Sequence, residues 1–175
     1  MTLEKLKKIQ LVLLDVDGVL TAGEIIYSDN GEQLKVFNVK DGLGIRMLKA
    51  AGISVGIITG RTGGALQHRC RNLGIDLVFD GIRDKTAILN EIAAQTGIST
   101  EHMAFIGDDL PDLAVMRKVG LAVAVADAHE TVRLSAHIVT RLPGGRGAVR
   151  EICDAILQAQ GRWKSVMKEL FHVEQ

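Results

Sequence analysis

Along the chain, short unbroken apolar runs alternate with longer stretches in which apolar residues recur every three or four positions. Leu11 to Val16 (LVLLDV) is the first such run, closed by acidic residues and Gly18. A run without apolar–polar alternation suits a parallel strand buried on both faces. Glu24 to Ser28 and Gln33 to Asn38 flank Asp29-Asn30-Gly31, a turn signal, and predict a β-hairpin over 24–38. From Gly42 to Ala51, the residues Leu43, Met47, Leu48 and Ala51 fall at helical spacing, and Gly52 supplies the stop. Ser54 to Thr59 (SVGIIT) predicts a strand, and Thr62 to Leu73 a helix ended by Gly74.

The alternation continues with a strand at Leu77 to Phe79, a helix at Lys85 to Gln95 and a strand at Met103 to Ile106. A helix follows at Pro111 to Val119, then a strand at Leu121 to Val125, a short helix at Ala128 to Ser135 and a small strand at His137 to Val139. Gly147 to Gln158 closes the body as a helix. Repeated βα order implies an α/β fold with a doubly wound parallel sheet covered on both faces. Residues 1–161 read as a single domain and 162–175 as a C-terminal tail. In that tail, Trp163, Val166, Met167, Leu170 and Phe171 have the spacing of one apolar helix face, which must dock on the body or on another subunit.

Composition removes several function classes. A length of 175 residues is enough to bury a core without disulfide or metal staples. Lys plus Arg and Asp plus Glu are both 21, and only 3% of residues are aromatic, so a nucleic-acid partner is not expected. No apolar run approaches the ~18 residues of a membrane span. Met1 to Gln10 is charged and lacks the apolar stretch of a signal peptide. Two separated cysteines, Cys70 and Cys153, read as reduced packing residues, and the expected location is cytoplasmic.

The reactive groups fall at strand ends. Asp15 and Asp17 follow the first strand, Thr59 ends the second major one, Lys85 opens a helix, and Asp108 and Asp109 follow MAFI through Gly107. In a doubly wound sheet these positions converge on one crevice beyond the carboxyl ends of the strands. Clustered carboxylates repel unless a cation is bound, and oxygen ligands select Mg²⁺, which keeps waters and shares positions with a substrate phosphate. Of Asp15 and Asp17, one carboxylate can attack phosphorus while the other trades a proton with the leaving oxygen. Lys85 and the Thr59 hydroxyl would steady the transferring oxygens.

DVDGV at Asp15 to Val19, IITGR at Ile57 to Arg61, Lys85, and GDDLPD at Gly107 to Asp112 resemble, in order and spacing, the four motifs of the haloacid dehalogenase-like phosphatases. The resemblance implies a Rossmann-like core with Asp15 as nucleophile and Asp17 as general acid and then base. It also implies Mg²⁺ held by Asp15, the Asp17 carbonyl and Asp108, with Asp109 in support. An Asp rather than a Thr at position 17 favours hydrolysis over the ATPase relatives. FNVKDGLGIR at Phe37 to Arg46, HRC around Arg69, VAVADAH at Val123 to His129 and GGRGAVRE at Gly144 to Glu151 are similar to the 3-deoxy-D-manno-octulosonate 8-phosphate (KDO 8-phosphate) phosphatase family. That similarity implies a sugar-acid phosphate substrate contacted by Asp17, Asn38, Val39, Lys40, Asp41, Gly42, Arg46, Arg61, Arg69 and Lys85. It further implies a homotetramer in lipopolysaccharide precursor synthesis, its hairpins packed together and each tail reaching a neighbouring site. A guanidinium suits an ulosonate carboxylate because it binds both oxygens.

The stretch from Asp17 to Thr59 is filled by the hairpin and a helix, and that from Thr59 to Lys85 by a helix and a strand. Neither leaves room for a cap, so the enzyme is expected to be capless and to borrow its cover from a neighbouring subunit. Several residues also fit plainer roles. Asp41 reads equally as the cap of the Gly42 helix. Arg46 lies where a solvated Arg is ordinary, and Arg69 shares a face with Leu66 and Leu73, as a snorkelling stem would. Asp112 reads as a cap or neutralising group rather than a metal ligand. GGRG reads as a structural or subunit-contact turn. A receiver module places its acidic pair before a later phosphoacceptor, the reverse of this order. A non-catalytic assembly module need not keep every catalytic position. A phosphatase of a nine-carbon ulosonate phosphate stays open, since one carbon asks only a modest change of contacts.

Overall fold

The computed structural model describes residues 2–173; Met1 and the last two residues of the tail, Glu174 and Gln175, lie outside the described residues. In chain order the elements are α1 (Thr2–Lys8), β1 (Leu11–Leu14), β2 (Ile26–Tyr27), β3 (Gln33–Leu34), α2 (Val39–Ala50), β4 (Ser54–Ile58) and α3 (Gly64–Leu73). They continue as β5 (Leu77–Phe79), α4 (Lys85–Thr96), β6 (Met103–Gly107), α5 (Leu113–Met116), β7 (Leu121–Ala124), α6 (Glu130–Ser135), β8 (Ile138–Val139), α7 (Ala148–Ala159) and α8 (Trp163–Phe171). Six strands form one parallel sheet in the order β5-β4-β1-β6-β7-β8. Every residue of β1, β6 and β7 is buried, which is why they read as unbroken apolar runs. Helices α1, α2, α7 and α8 pack among themselves, as do α4, α5 and α6, so the sheet is covered on both faces. No helix among the described residues is long and apolar enough to cross a membrane.

Strand order reverses at β1: the chain moves outward through β4 and β5, then returns to place β6 on the other side. Register brings Leu14 level with Ile57 of β4 and with Ile106 of β6. The residues that follow these positions therefore emerge at one height, over a switch point of the kind where open α/β sheets bind ligands. The Asp15 amide prolongs the ladder by donating to the Ile106 carbonyl at 3.1 Å, which fixes where the side chain starts.

Several boundaries differ from the sequence reading. Helix α2 begins at Val39 because Asn38 is its N-cap, its side chain accepting from the Lys40 amide at 2.8 Å. Asp41 caps a different helix: its oxygens accept from the amides of Gly147 (3.2 Å) and Arg150 (2.8 Å), at the start of α7. The hairpin ladder is only two residues on each side, since beyond β2 and β3 the strands diverge. The expected Pro111–Val119 helix divides into a 3₁₀ turn at Leu110–Asp112 and the single turn of α5. The Gly120 amide then bonds to the Thr100 carbonyl at 2.9 Å, drawing the chain back for β7. The charged amino terminus forms α1, which buries Leu6 and is tied down by Gln160, donating to the Ile9 carbonyl at 2.8 Å. Helix α8 docks on its own body, packing against α2 and α7 with Val166 buried.

The GGRG turn is structural. The Gly145 amide donates to the Val19 carbonyl at 2.8 Å, and the Gly144 amide to Asp127 at 2.9 Å. A Cβ on Gly144 would lie 1.7 Å from the carbonyl oxygen of Gly18, so the turn presses directly on the loop after β1. Overpacking of this kind costs roughly 1–3 kcal/mol. Gly144→Ala is expected to lower stability by about 3 kcal/mol, read as a lower urea midpoint with an unchanged m-value; an unchanged midpoint would show that the loop yields freely.

Candidate active site

The loops after β1, β4, β5 and β6 enclose a crevice of about 520 Å³. Asp15, Asp17, Thr59, Arg61, Lys85 and Asp108 all line it, so the strand-end groups do converge. Lys85, at the start of α4, is held there because Asp84 caps that helix by accepting from the Thr86 amide at 2.9 Å. The Lys85 ammonium donates to Asp15 Oδ1 at 2.8 Å and to Asp112 Oδ1 at 2.7 Å. Burial alone would depress its pKa, but the two carboxylates outweigh that and hold it above the ordinary lysine value. Burial is also the main force raising Asp15, with the Lys85 charge opposing it.

One oxygen each of Asp15, Asp108 and Asp112 lie within 4.8 Å of one another. Asp112 is saturated, because its Oδ2 accepts from the amides of Asp108 (2.9 Å) and Asp109 (3.3 Å) while Oδ1 holds Lys85. The Asp108 carboxylate accepts no hydrogen bond among the described residues, and its pKa is pushed up to about 8 by burial and then by the carboxylates of Asp15, Asp112 and Asp109. Two crowded oxygens without donors, on Asp15 and Asp108, fit a hard divalent cation and little else. Asp108 reaches this place only because position 18 is glycine at φ 84°; a Cβ there would lie 2.0 Å from Asp108 Oδ2. Asp109 lies on the exposed side, where its Oδ1 caps the 3₁₀ turn by accepting from the Leu110 amide at 2.8 Å.

Asp17 stands on the other side of the crevice, partly exposed. Its Oδ1 accepts from the Lys35 ammonium, and Arg61 Nε lies 4.0 Å from its Oδ2. Thr59 is buried, its hydroxyl oxygen accepting from the Arg61 amide at 3.4 Å. The remaining sequence-named residues gather elsewhere within the chain. Val39, Gly42, Arg46 and Arg69 line a separate hollow of about 290 Å³ between α2 and α3. There Arg69 donates to the Asn38 carbonyl at 3.1 Å and lies 5.6 Å from the Phe37 ring centre, and Arg46 donates to the Asn72 carbonyl at 3.0 Å. Lys40 is exposed beside Arg150 in another shallow hollow. The Asp41 carboxylate is buried and caps α7, not the Gly42 helix as the sequence reading also allowed. Sequence reasoning missed Lys35 and Arg83, which lines the crevice, whereas its reading of Asp112 as a cap or neutralising group matches the bonds to Lys85 and to the Asp108 and Asp109 amides. The signal for Asp112 was Lys85 itself, a buried ammonium facing a nucleophile and needing a second counter-charge.

A family model described as haloacid dehalogenase-like hydrolase matches residues 75–151. The 3-deoxy-D-manno-octulosonate 8-phosphate phosphatase of Escherichia coli K12 is 49% identical over 158 residues, which span 90% of this chain and 84% of that one. The crystal structure of the Moraxella catarrhalis phosphatase of that name, in complex with magnesium ion, phosphate ion and KDO, superposes with a TM-score of 0.93 at 40% identity, covering 96% of this chain and 97% of that chain. The cobalt-bound phosphatase from Haemophilus influenzae gives a TM-score of 0.89 at 45% identity, covering 93% and 94% of the two chains. With the four motif loops closing on one crevice and this likeness extending over nine-tenths of its length, the chain belongs to the KDO 8-phosphate phosphatase family of haloacid dehalogenase-like hydrolases.

Proposed function

We propose that this chain is a Mg²⁺-dependent phosphoric monoester hydrolase that converts KDO 8-phosphate to the free sugar acid and inorganic phosphate, a step of lipopolysaccharide precursor synthesis. The observation that carries the reading is the pairing of Lys85 with Asp15 Oδ1 at the wall of the crevice, which supports Asp15 as the nucleophile there. The Asp15 oxygen attacks phosphorus, the bond from phosphorus to the sugar oxygen breaks, and Asp17 gives that oxygen a proton. The Asp17 carboxylate then takes a proton from a water that attacks the same phosphorus, releasing phosphate and restoring Asp15. Lys85 and the Thr59 hydroxyl stabilise the charge on the transferring oxygens. Asp15, Asp108 and the Asp17 carbonyl would hold Mg²⁺, with Asp109 in support; the ion supplies charge neutralisation and orientation of the phosphoryl group.

Asn38, Val39, Lys40, Gly42, Arg46 and Arg69 lie outside this crevice within one chain. They become substrate contacts in the homotetramer that the family resemblance implies, where a neighbouring copy brings them to the open mouth. Tyr27, Leu34, Val36 and Val39 support that assembly, since all four are exposed apolar side chains on or next to the hairpin. The two cysteines are buried and unpaired, in keeping with a reducing cytoplasmic compartment.

Asp15→Asn is expected to abolish phosphate release from KDO 8-phosphate at saturating Mg²⁺; turnover within tenfold of wild type would remove Asp15 as nucleophile. The same assay with a nine-carbon ulosonate phosphate is expected to give a lower kcat/KM, and the reverse order would reassign the substrate. A pH dependence follows from Asp108. Folding raises its pKa to about 8, so its contribution to stability is full below the unfolded value near 4 and is lost as pH rises toward 8. Mg²⁺ must displace that proton at low pH, so it is expected to raise Tm more at pH 8 than at pH 5.5; equal shifts would place the ion elsewhere. Val36→Glu is expected to dissociate the assembly in light scattering and to cut turnover at least tenfold. A monomer with full turnover would contradict a site completed by its neighbour.

A further inference from the structure

Lys35 takes no part in the steps above, yet its side chain is only 3% exposed and its ammonium is hydrogen-bonded to Asp17 Oδ1. No other side chain among the described residues partners it. A buried ammonium is costly unless a carboxylate faces it, so the pair is held as a unit. Lys35 lies just beyond β3, where exposure still alternates along the chain. From Gln33 to Phe37, residues 33, 35 and 37 turn inward while Leu34 and Val36 are exposed. Arg61 is a weaker hold on Asp17: its Nε lies 4.0 Å from Oδ2 and its side chain is 47% exposed. Asp17 itself precedes Gly18 in a loop outside any helix or strand, so it has no backbone element to orient its carboxylate.

We infer that Lys35 is the positioning residue for Asp17. By fixing Oδ1, it turns Oδ2 toward the bond between phosphorus and the sugar oxygen. Asp17 first takes up a proton from solvent on Oδ2 while Oδ1 stays bonded to Lys35; as the bond to phosphorus breaks, that proton passes from Asp17 to the sugar oxygen, and Lys35 keeps all of its own protons throughout. This inference rests on the reading of Asp17 as general acid. It assigns to the strand leaving the hairpin a part in proton transfer, separate from any part in assembly.

The test compares two substrates in one sample. A sugar alkoxide must be protonated to leave, whereas p-nitrophenolate leaves without a proton. For each substrate kcat/KM reports the steps up to departure of that group, so hydrolysis of the phosphoenzyme does not enter. Lys35→Met is expected to lower kcat/KM for KDO 8-phosphate by about 30-fold or more, toward the range of general-acid contributions. For p-nitrophenyl phosphate the change is expected to stay within threefold. Lys35→Gln, neutral but still polar, is expected to give the same selective loss. The ratio of the two values does not depend on the fraction of protein folded, so partial unfolding of either variant leaves the comparison valid. Equal losses on both substrates would make Lys35 a phosphate ligand or a structural residue and overturn the inference, as would no loss on either. A wild-type enzyme inert toward both substrates with Mg²⁺ would instead overturn the phosphatase reading itself.

Discussion

Around Lys85, two carboxylates share one ammonium while a third, Asp108, lies close by without it, and the crevice is built to hold that imbalance of charge. Asp112 takes part of the ammonium and two backbone amides, so it is satisfied and inert. Asp15 is half satisfied, with one oxygen held and one open. Asp108 has no donor among the described residues, and burial first, then the neighbouring carboxylates, raises its pKa. The three carboxylates are thus chemically distinct although they differ only in hydrogen-bond partners. Three different environments arise from one residue type.

Holding such charges close together requires a rigid backbone, and the parallel register of β1, β4 and β6 provides it. The remaining tolerance is removed by missing side chains. Gly18 admits the Asp108 carboxylate, and Gly107 admits Asp112, which lies 2.5 Å from where a Cβ would be. Gly144 brings the turn before α7 onto the carbonyl of Gly18 itself. Through Asp41, α2 then caps α7, so the first long helix and the last long helix of the body are locked together beneath the nucleophile loop.

Much of this was legible from the sequence, for physical reasons that differ by element. Strands β1, β4, β6 and β7 were readable because burial on both faces leaves no polar positions to confuse the pattern. Most crevice residues were readable because they follow a strand closely, so knowing the strand fixes the position, while Lys85 was marked by opening α4. The start of α2 was not, since Asn38 caps it before the first apolar repeat at Leu43 begins. The role of Asp41 was beyond reach because its partners are more than a hundred positions away, and neither partner is a side chain. Lys35 was missed because a lysine between two exposed apolar residues reads as solvated. Only the contact with Asp17 shows that this lysine faces inward. The separation of Arg46 and Arg69 from the crevice was equally hidden, because a resemblance transfers residues but not the chain that presents them.

The short segment from Gln33 to Phe37, of which only Gln33–Leu34 is β3, carries two surfaces that share no atoms of side chain. Odd positions face the acid and the arginine, and even positions face outward. Substitutions here therefore sort by parity, and each position answers to a different selection. Length is far less forgiving. Inserting or deleting one residue between Gly31 and Asn38 would exchange the two surfaces at a stroke, turning Leu34 or Val36 into the crevice and Lys35 out into solvent. The number of residues in that segment is thus constrained separately from their identity.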